Sequence, residues 1–131
     1  MIGYWFDANG KFQTKLADQV KPQDIGEHAA LYCCAVCHQK ITSESAAISV
    51  AGEHAHMKIN PDGRKFLLRC FSSVTGCRKA GEPTTYFSWF AGYRWQFAHC
   101  TQCGAQLGWF FSGNESFFAL IKEQLVRCDN N

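Results

Sequence analysis

A mainly antiparallel β domain with one C-terminal helix is the fold class this 131-residue sequence predicts. Three observations carry it. Short segments of alternating polarity are bounded by turn residues; two Cys-x-x-Cys pairs stand 62 residues apart; and no strand–helix–strand alternation runs along the chain. The length suits one hydrophobic core, and with 47% hydrophobic residues the chain reads as globular.

Residues 1 to 30 read as an N-terminal arm and 31 to 128 as the domain. In the arm, Tyr4, Trp5 and Phe6 either pack on the domain or stay free of it, and Asp24 is placed to cap a helical turn through Ala30. In the domain, Ala47 to Val50 reads as a short strand ending near Gly52. His54 to Ile59 alternates polar with apolar, as a half-buried strand does. Asn60-Pro61-Asp62-Gly63 is a turn in which proline fixes φ and glycine closes the bend. Lys65 to Phe71 returns as its partner, with His54 and His56 on the solvated face of the hairpin. Residues 72 to 85, rich in Ser, Gly, Lys and Thr, read as a long connection. Gln102 to Phe111 ends in strand pattern, with Trp109 and Phe111 on one face. Ser112-Gly-Asn-Glu115 has the form of a capping box, and Phe117, Phe118, Leu120, Ile121, Leu125 and Val126 follow at helical spacing. That helix is expected to close one edge of the core; docking to a partner is the lesser reading.

The two pairs, Cys34/Cys37 and Cys100/Cys103, have the spacing of structural metal knuckles. A two-residue gap lets both thiolates of a tight turn face one ion at about 2.3 Å, and two such turns complete a closed zinc tetrahedron. Gly104 follows the second pair, where such a turn often needs φ > 0. A redox Cys-x-x-Cys is the rival, but it normally opens a helix in a βαβ unit. Cys33 lies one residue outside the usual spacing, and His38 and His99 each adjoin a ligand that either could replace. Cys70 and Cys77 read as free thiols or a weaker second site. The metal is expected to hold the fold and do no chemistry.

The scattered charge, formally only +2, argues against nucleic acid as partner. No apolar run approaches a membrane span, and the N-terminus lacks the pattern of a signal peptide. Paired cysteines without such a signal fit metal ligation in a reducing cytoplasm.

Residues 86 to 111 hold three of the four tryptophans, no Asp or Glu, and Arg94 as their one formal charge. Ordinary core packing is the bland account of such a run. A binding cavity is the sharper one. Trp89 and Trp95 each stand three residues from Gly92: a five-residue loop centred there sets the indoles opposite one another, whereas a tight Ala91-Gly92 turn puts them on opposite faces and takes away the support for a cavity. Trp109 supplies a third wall and Phe111 stands beside it. Without a carboxylate, the walls favour a compact neutral ring over a methylated cation.

Over residues 30 to 127, Cys34/Cys37, Asn60-Pro61, Ser88-Trp89-Phe90-x-Gly92-Tyr93-x-Trp95, Cys100/Cys103 and Gly108-Trp109-x-Phe111 together resemble the thalidomide-binding (CULT) domain of the cereblon family, in its single-domain bacterial form. The resemblance implies two antiparallel sheets pinned by zinc (a β-tent). It implies a cage of Trp89, Trp95 and Trp109 for cyclic imides such as glutarimide, or for uracil-like rings. By the family pattern the backbone of Phe87 and Trp89 holds the imide, Asn60 reaches its outer part, Phe111 completes the wall, and Pro61 and Ser88 belong to the same site. Animal members carry histidine where this chain has Phe87, so only the main chain and an apolar edge are expected there. No Lon-like or adaptor-binding region is read, so a ubiquitin-ligase role is not expected to carry over. Two other functions compete: a methionine sulfoxide reductase B-like enzyme using a cysteine thiolate, and a methyl-cation-reading interaction module. No protein partner is identifiable.

Overall fold

The computed structural model describes residues 6–8, 10, 11 and 29–129. Two short N-terminal strands, β1 (Phe6–Ala8) and β2 (Gly10–Lys11), pair with each other. Asp24 and its expected capped turn lie outside the described residues.

The domain is two antiparallel sheets. β3 (Leu31–Cys34) and β4 (Lys40–Ser43) join β11 (Leu125–Arg127) in a three-stranded sheet of order β11-β3-β4. The larger sheet contains β5 (Ala55–Ile59), β6 (Lys65–Phe71), β7 (Cys77–Thr84), β8 (Arg94–Cys100), β9 (Gln106–Ser112) and β10 (Ser116–Ile121), in the order β5-β6-β10-β9-β8-β7. Single 3-10 turns occupy Glu44–Ala46 and Lys122–Gln124.

Each face of the larger sheet carries its own core. Between the sheets, Cys34 and Ile41 of the small sheet pack with Phe71, Ala98, Leu107, Phe118 and Leu120 of the large one. On the far face Leu68, Trp109, Phe111, Phe117, Ala119 and Ile121 are covered by Ile48, Val50 and the loop carrying Trp89, Phe90 and Tyr93.

This two-faced burial corrects the expected C-terminal helix. β10 lies between β6 and β9, and its residues alternate between the two cores, Phe118 and Leu120 to one and Phe117, Ala119 and Ile121 to the other. A strand covered on both faces is apolar at every position, a pattern that periodicity cannot separate from a buried helix. Ser112–Glu115 forms the β9–β10 turn, closed by Gly113 N–H donating to the Glu115 carbonyl (3.1 Å), and caps nothing.

Three smaller expectations also change. Residues 77–84 are not loop but the edge strand β7; its Gly, Lys, Glu and Pro are tolerated, and useful, on an edge that must not pair further. Ala47 to Val50 makes only isolated bridges, Ala47 to Phe71 and Val50 to Glu53. His54 and His56 are half-buried hydrogen-bonding pins rather than solvated side chains. His54 Nδ1 meets the Ile48 carbonyl at 2.8 Å, and His56 Nε2 meets the Val50 carbonyl at 3.0 Å, holding that segment to β5.

The expected hairpin at Asn60–Gly63 is present. Gly63 N–H donates to the Asn60 carbonyl at 2.8 Å with Gly63 at φ 85°, and β5 pairs with β6 from Ala55↔Arg69 to Ile59↔Lys65. Cys33 and Cys128, unassigned from sequence, form a disulfide across 95 residues.

Candidate metal centre and aromatic cavity

Two turns with the same hydrogen bonds build the metal centre. In the first, His38 N–H donates to the Cys34 carbonyl (2.8 Å) and Cys34 N–H to the Gln39 carbonyl (2.8 Å). In the second, Gly104 N–H donates to Cys100 (2.9 Å) and Cys100 N–H to Ala105 (2.8 Å). Both need a left-handed residue after the second cysteine. Gly104 fills that place at φ 81° and His38 at φ 67°, so the first knuckle carries a strain that the second avoids.

The four sulfurs of Cys34, Cys37, Cys100 and Cys103 lie within 4.8 Å of one another, with Cys34–Cys103 at 3.7 Å and Cys37–Cys100 at 3.5 Å. Thiolates about 2.3 Å from a tetrahedral ion stand roughly 3.8 Å apart, so the donor set fits such an ion. Burial opposes ionisation of Cys100, yet N–H groups of Cys103 and Gln102 and the neighbouring thiols outweigh it and lower the thiol to about 7. Val36 N–H (3.4 Å to Cys34 Sγ) adds a further donor to the sulfurs. Neither neighbouring histidine joins the cluster: His99 Nδ1 is bonded to the Gly104 carbonyl at 3.0 Å, and His38 is exposed. Cys33 is committed to its disulfide.

Strand register builds the aromatic cavity. β8 and β9 pair Trp95 with Phe111 and Phe97 with Trp109, so four rings share one face of the large sheet. A bulge opposite Ala98/His99 lets Leu107 turn to the inter-sheet core while Gln106 stays on the ring-bearing face. Gly108 lies against β10 so closely that a Cβ would strike the Ala119 carbonyl, which is why a glycine stands beside Trp109.

Trp89 arrives differently. Phe90 to Tyr93 is a tight turn, Tyr93 N–H to the Phe90 carbonyl at 3.0 Å with Gly92 at φ 86°, but Trp89 precedes it in a loop and stands opposite no strand residue. The tight Ala91-Gly92 turn, the geometry expected to count against a cavity, is thus the one present, but with no strand before it Trp89 is not carried to the opposite face of the sheet. Its indole N–H instead donates to the Ile59 carbonyl at 2.9 Å, thirty residues away, and Trp95 N–H donates to the Tyr86 carbonyl at 2.7 Å. These bonds fix both ring planes. Phe90 anchors the loop, edge-on to Phe111 (4.9 Å) and Phe117 (5.2 Å).

The resulting cavity, about 310 Å³, is lined by seven of the eight residues singled out from sequence: Asn60, Pro61, Phe87, Trp89, Trp95, Trp109 and Phe111. Ser88 is not in the wall; its hydroxyl donates to the Phe90 carbonyl at 3.1 Å. Phe87 holds a left-handed φ of 52° with its ring half-exposed, so the backbone is turned unusually at this point of the rim. Sequence reading missed Arg64, Phe66, Tyr86, Phe97 and Gln106, which also line it. Phe97 was findable from register; Arg64 and Phe66 come from β6 and its turn, remote in sequence from the tryptophans. Arg64 makes the cavity less neutral than the aromatic run alone implied.

No family model matches the chain. It is 33% identical to protein cereblon of Danio rerio over 92 residues, covering 68% of this chain and 21% of that protein. Protein cereblon of Gallus gallus is 30% identical over 112 residues (79% and 25%), and that of Drosophila persimilis 33% over 131 residues (87% and 21%). The chain thus spans about a fifth to a quarter of the length of these curated relatives. Identity at this level, recurring over two thirds to nearly nine tenths of the chain, agrees with the paired sheets and the four clustered cysteines: the chain belongs to the cereblon family as a CULT-type domain.

Proposed function

We propose that the domain is a small-molecule binding module whose cage of Trp89, Trp95 and Trp109 takes a cyclic imide or uracil-like ring. The observation that carries this is the convergence of three indoles, from β8, β9 and the 85–93 loop, on one cavity. Two of them have their N–H groups already bonded to backbone. A ring entering there meets π faces and rotationally fixed walls, so little side-chain freedom is lost on binding. The main chain of Phe87 and Trp89 is at hand for the imide, and Asn60 and Pro61 border the ring's outer part. A glutarimide of about eight heavy atoms at ~0.7–0.9 kcal/mol each binds with ~6–7 kcal/mol, a Kd of tens of micromolar.

In this reading the tetracysteine holds zinc, which would tie β3 and its turn to the end of β8 and keep the cage strands in register. Its thiolates favour a reducing, cytoplasmic setting; the Cys33–Cys128 disulfide is the feature that opposes it. Among the described residues no helix is long and apolar enough to cross a membrane.

The reductase reading draws no support from the remaining thiols. Burial pushes Cys70 up to about 11 and Cys77 up to about 12, leaving both protonated and poorly nucleophilic, and Cys33 is bonded to Cys128. The methyl-cation reading is opposed by a cavity lined by Arg64 and, among the described residues, by no carboxylate.

Titrating glutarimide, succinimide and uracil against tryptophan emission tests the proposal. Saturable quenching is expected, lost in Trp95→Ala with metal content intact. A flat titration in the metal-loaded protein, or displacement of imide by trimethyllysine at equal concentration, would sink it.

A further inference from the structure

Where it lines the cavity, the lip between Asn60 and Arg64 is chemically one-sided: the carboxylate of its turn, Asp62, is exposed and is not among the lining residues. Arg64 is exposed, its guanidinium carbon 5.2 Å from the centre of the Phe66 ring, and no carboxylate among the described residues pairs with it. Among the described residues no carboxylate lines the cavity. Asn60 offers no free acceptor, since its Oδ1 already receives the N–H groups of Asp62 (3.0 Å) and Arg64 (2.8 Å). Only the amide N–H₂ of Asn60 is left to face outward, beside a cation. The one uncommitted side-chain amide oxygen in the lining belongs to Gln106, on β9, whose N–H₂ donates to the Gly108 carbonyl at 3.3 Å.

The cavity side of the lip therefore presents donors and positive charge, while the cage behind it is aromatic. A charge placed in the cage would lose its hydration with no partner to replace it. The same charge on an arm reaching the lip would keep water and gain charge-assisted hydrogen bonds. We propose that the Asn60–Arg64 lip selects ring ligands carrying an anionic, acceptor-rich substituent, a carboxylate or a phosphate, outside the cage. This specificity rests on the cage reading above.

The test compares probes differing only in the arm. 3-Aminoglutarimide acylated with succinate ends in a carboxylate, and its succinamide analogue ends in a neutral amide of the same shape. By calorimetric titration of the metal-loaded chain, the acid should bind ~3- to 10-fold tighter than the amide at low salt, the size expected of an exposed charge-assisted pair. That ratio should shrink as salt rises. It should fall to about one in Arg64→Gln and survive in part in Arg64→Lys. Uridine against uridine 5′-monophosphate repeats the comparison with phosphate; whichever anion gains more identifies the substituent the lip suits. Unsubstituted glutarimide separates the failures. If it binds while acid and amide are equal, or while the ratio is the same in Arg64→Gln, the inference about the lip is overturned and the cage stands. If it does not bind, both fall.

Discussion

The indoles of Trp89 and Trp109 meet edge to face, centroids 4.8 Å apart and planes 81° apart. Trp95 makes its ring contact with Phe97 instead, at 5.1 Å and 77°. Two walls of the cage thus brace each other at a right angle while the third stands clear of both, and the space between them is the cavity. Edge-to-face pairs of this kind are worth about 0.5–1.5 kcal/mol beyond area burial, so the corner is a stable piece of the cage before any ligand arrives.

Trp89→Phe keeps an aromatic at that corner but removes the N–H bonded to Ile59. Loss of that bond should let the ring turn and weaken glutarimide binding by roughly tenfold, about 1.4 kcal/mol. Fluorescence titration measures it, and unchanged affinity would show that the loop backbone alone positions the ring.

The tetracysteine should bind a single metal ion whose removal unfolds the domain, since stabilisation on the order of 10 kcal/mol exceeds what so small a core holds in reserve. Cys103→Ser changes the one exposed ligand, so altered packing contributes little. Metal analysis and thermal denaturation should show lost metal and a large drop in Tm. Acidification should release metal as protons compete for the sulfurs. A variant that loses metal yet melts like the parent would make the centre dispensable.

Gly108→Ala should cost about 2–3 kcal/mol. Its Cβ would press on the Ala119 carbonyl and lie 2.8 Å from Leu120 Cα, and both belong to the backbone of a central strand that cannot step aside. Urea denaturation gives the loss, and ligand affinity should fall with it because Trp109 is the next residue.

Stability should decline as pH falls from 7 toward 5, through His54. Arg69 Nε–H donates to His54 Nε2 at 2.9 Å, which leaves Nδ1–H for the Ile48 carbonyl and requires a neutral ring. Burial, and then the Arg69 charge, hold the imidazole below its ordinary 6.5 against the pull of the Ile48 carbonyl and Glu44. Above 6.5 neither folded nor unfolded His54 is charged and the contribution is whole. Below it the unfolded chain takes the proton first, and stability falls until the folded imidazole titrates too. His54→Gln can make both hydrogen bonds without titrating, so it should flatten this part of the pH–stability curve relative to the parent. Glu44, depressed below 4.5 despite burial by Tyr32 O–H and Arg69, loses its contribution with the same sign at lower pH.

What the sequence made legible was whatever depends on near neighbours. Cys-x-x-Cys spacing is local, and so is the Asn60–Gly63 turn; both are where the spacing put them. The aromatic run exposed three cage walls because the 85–93 loop, β8 and β9 follow one another in sequence and come together in space. The failures share the opposite cause. Phe117 to Ile121 read as helix because only the third dimension reveals that both faces of β10 are covered. β7 was invisible because an edge strand is exposed and charged. Arg64, the Trp89–Ile59 bond and the Cys33–Cys128 pair join segments more than twenty residues apart, and a one-dimensional pattern records none of these approaches.

The Cys33–Cys128 bond brings its two Cα atoms to 5.9 Å, with both knuckles and every cage residue on the chain between them. Entry and exit of this module therefore share one doorway. It could be spliced into a larger polypeptide, or its own two ends joined and a new break opened at the exposed Gly113–Asn114 bend, without pulling the flanking chain apart.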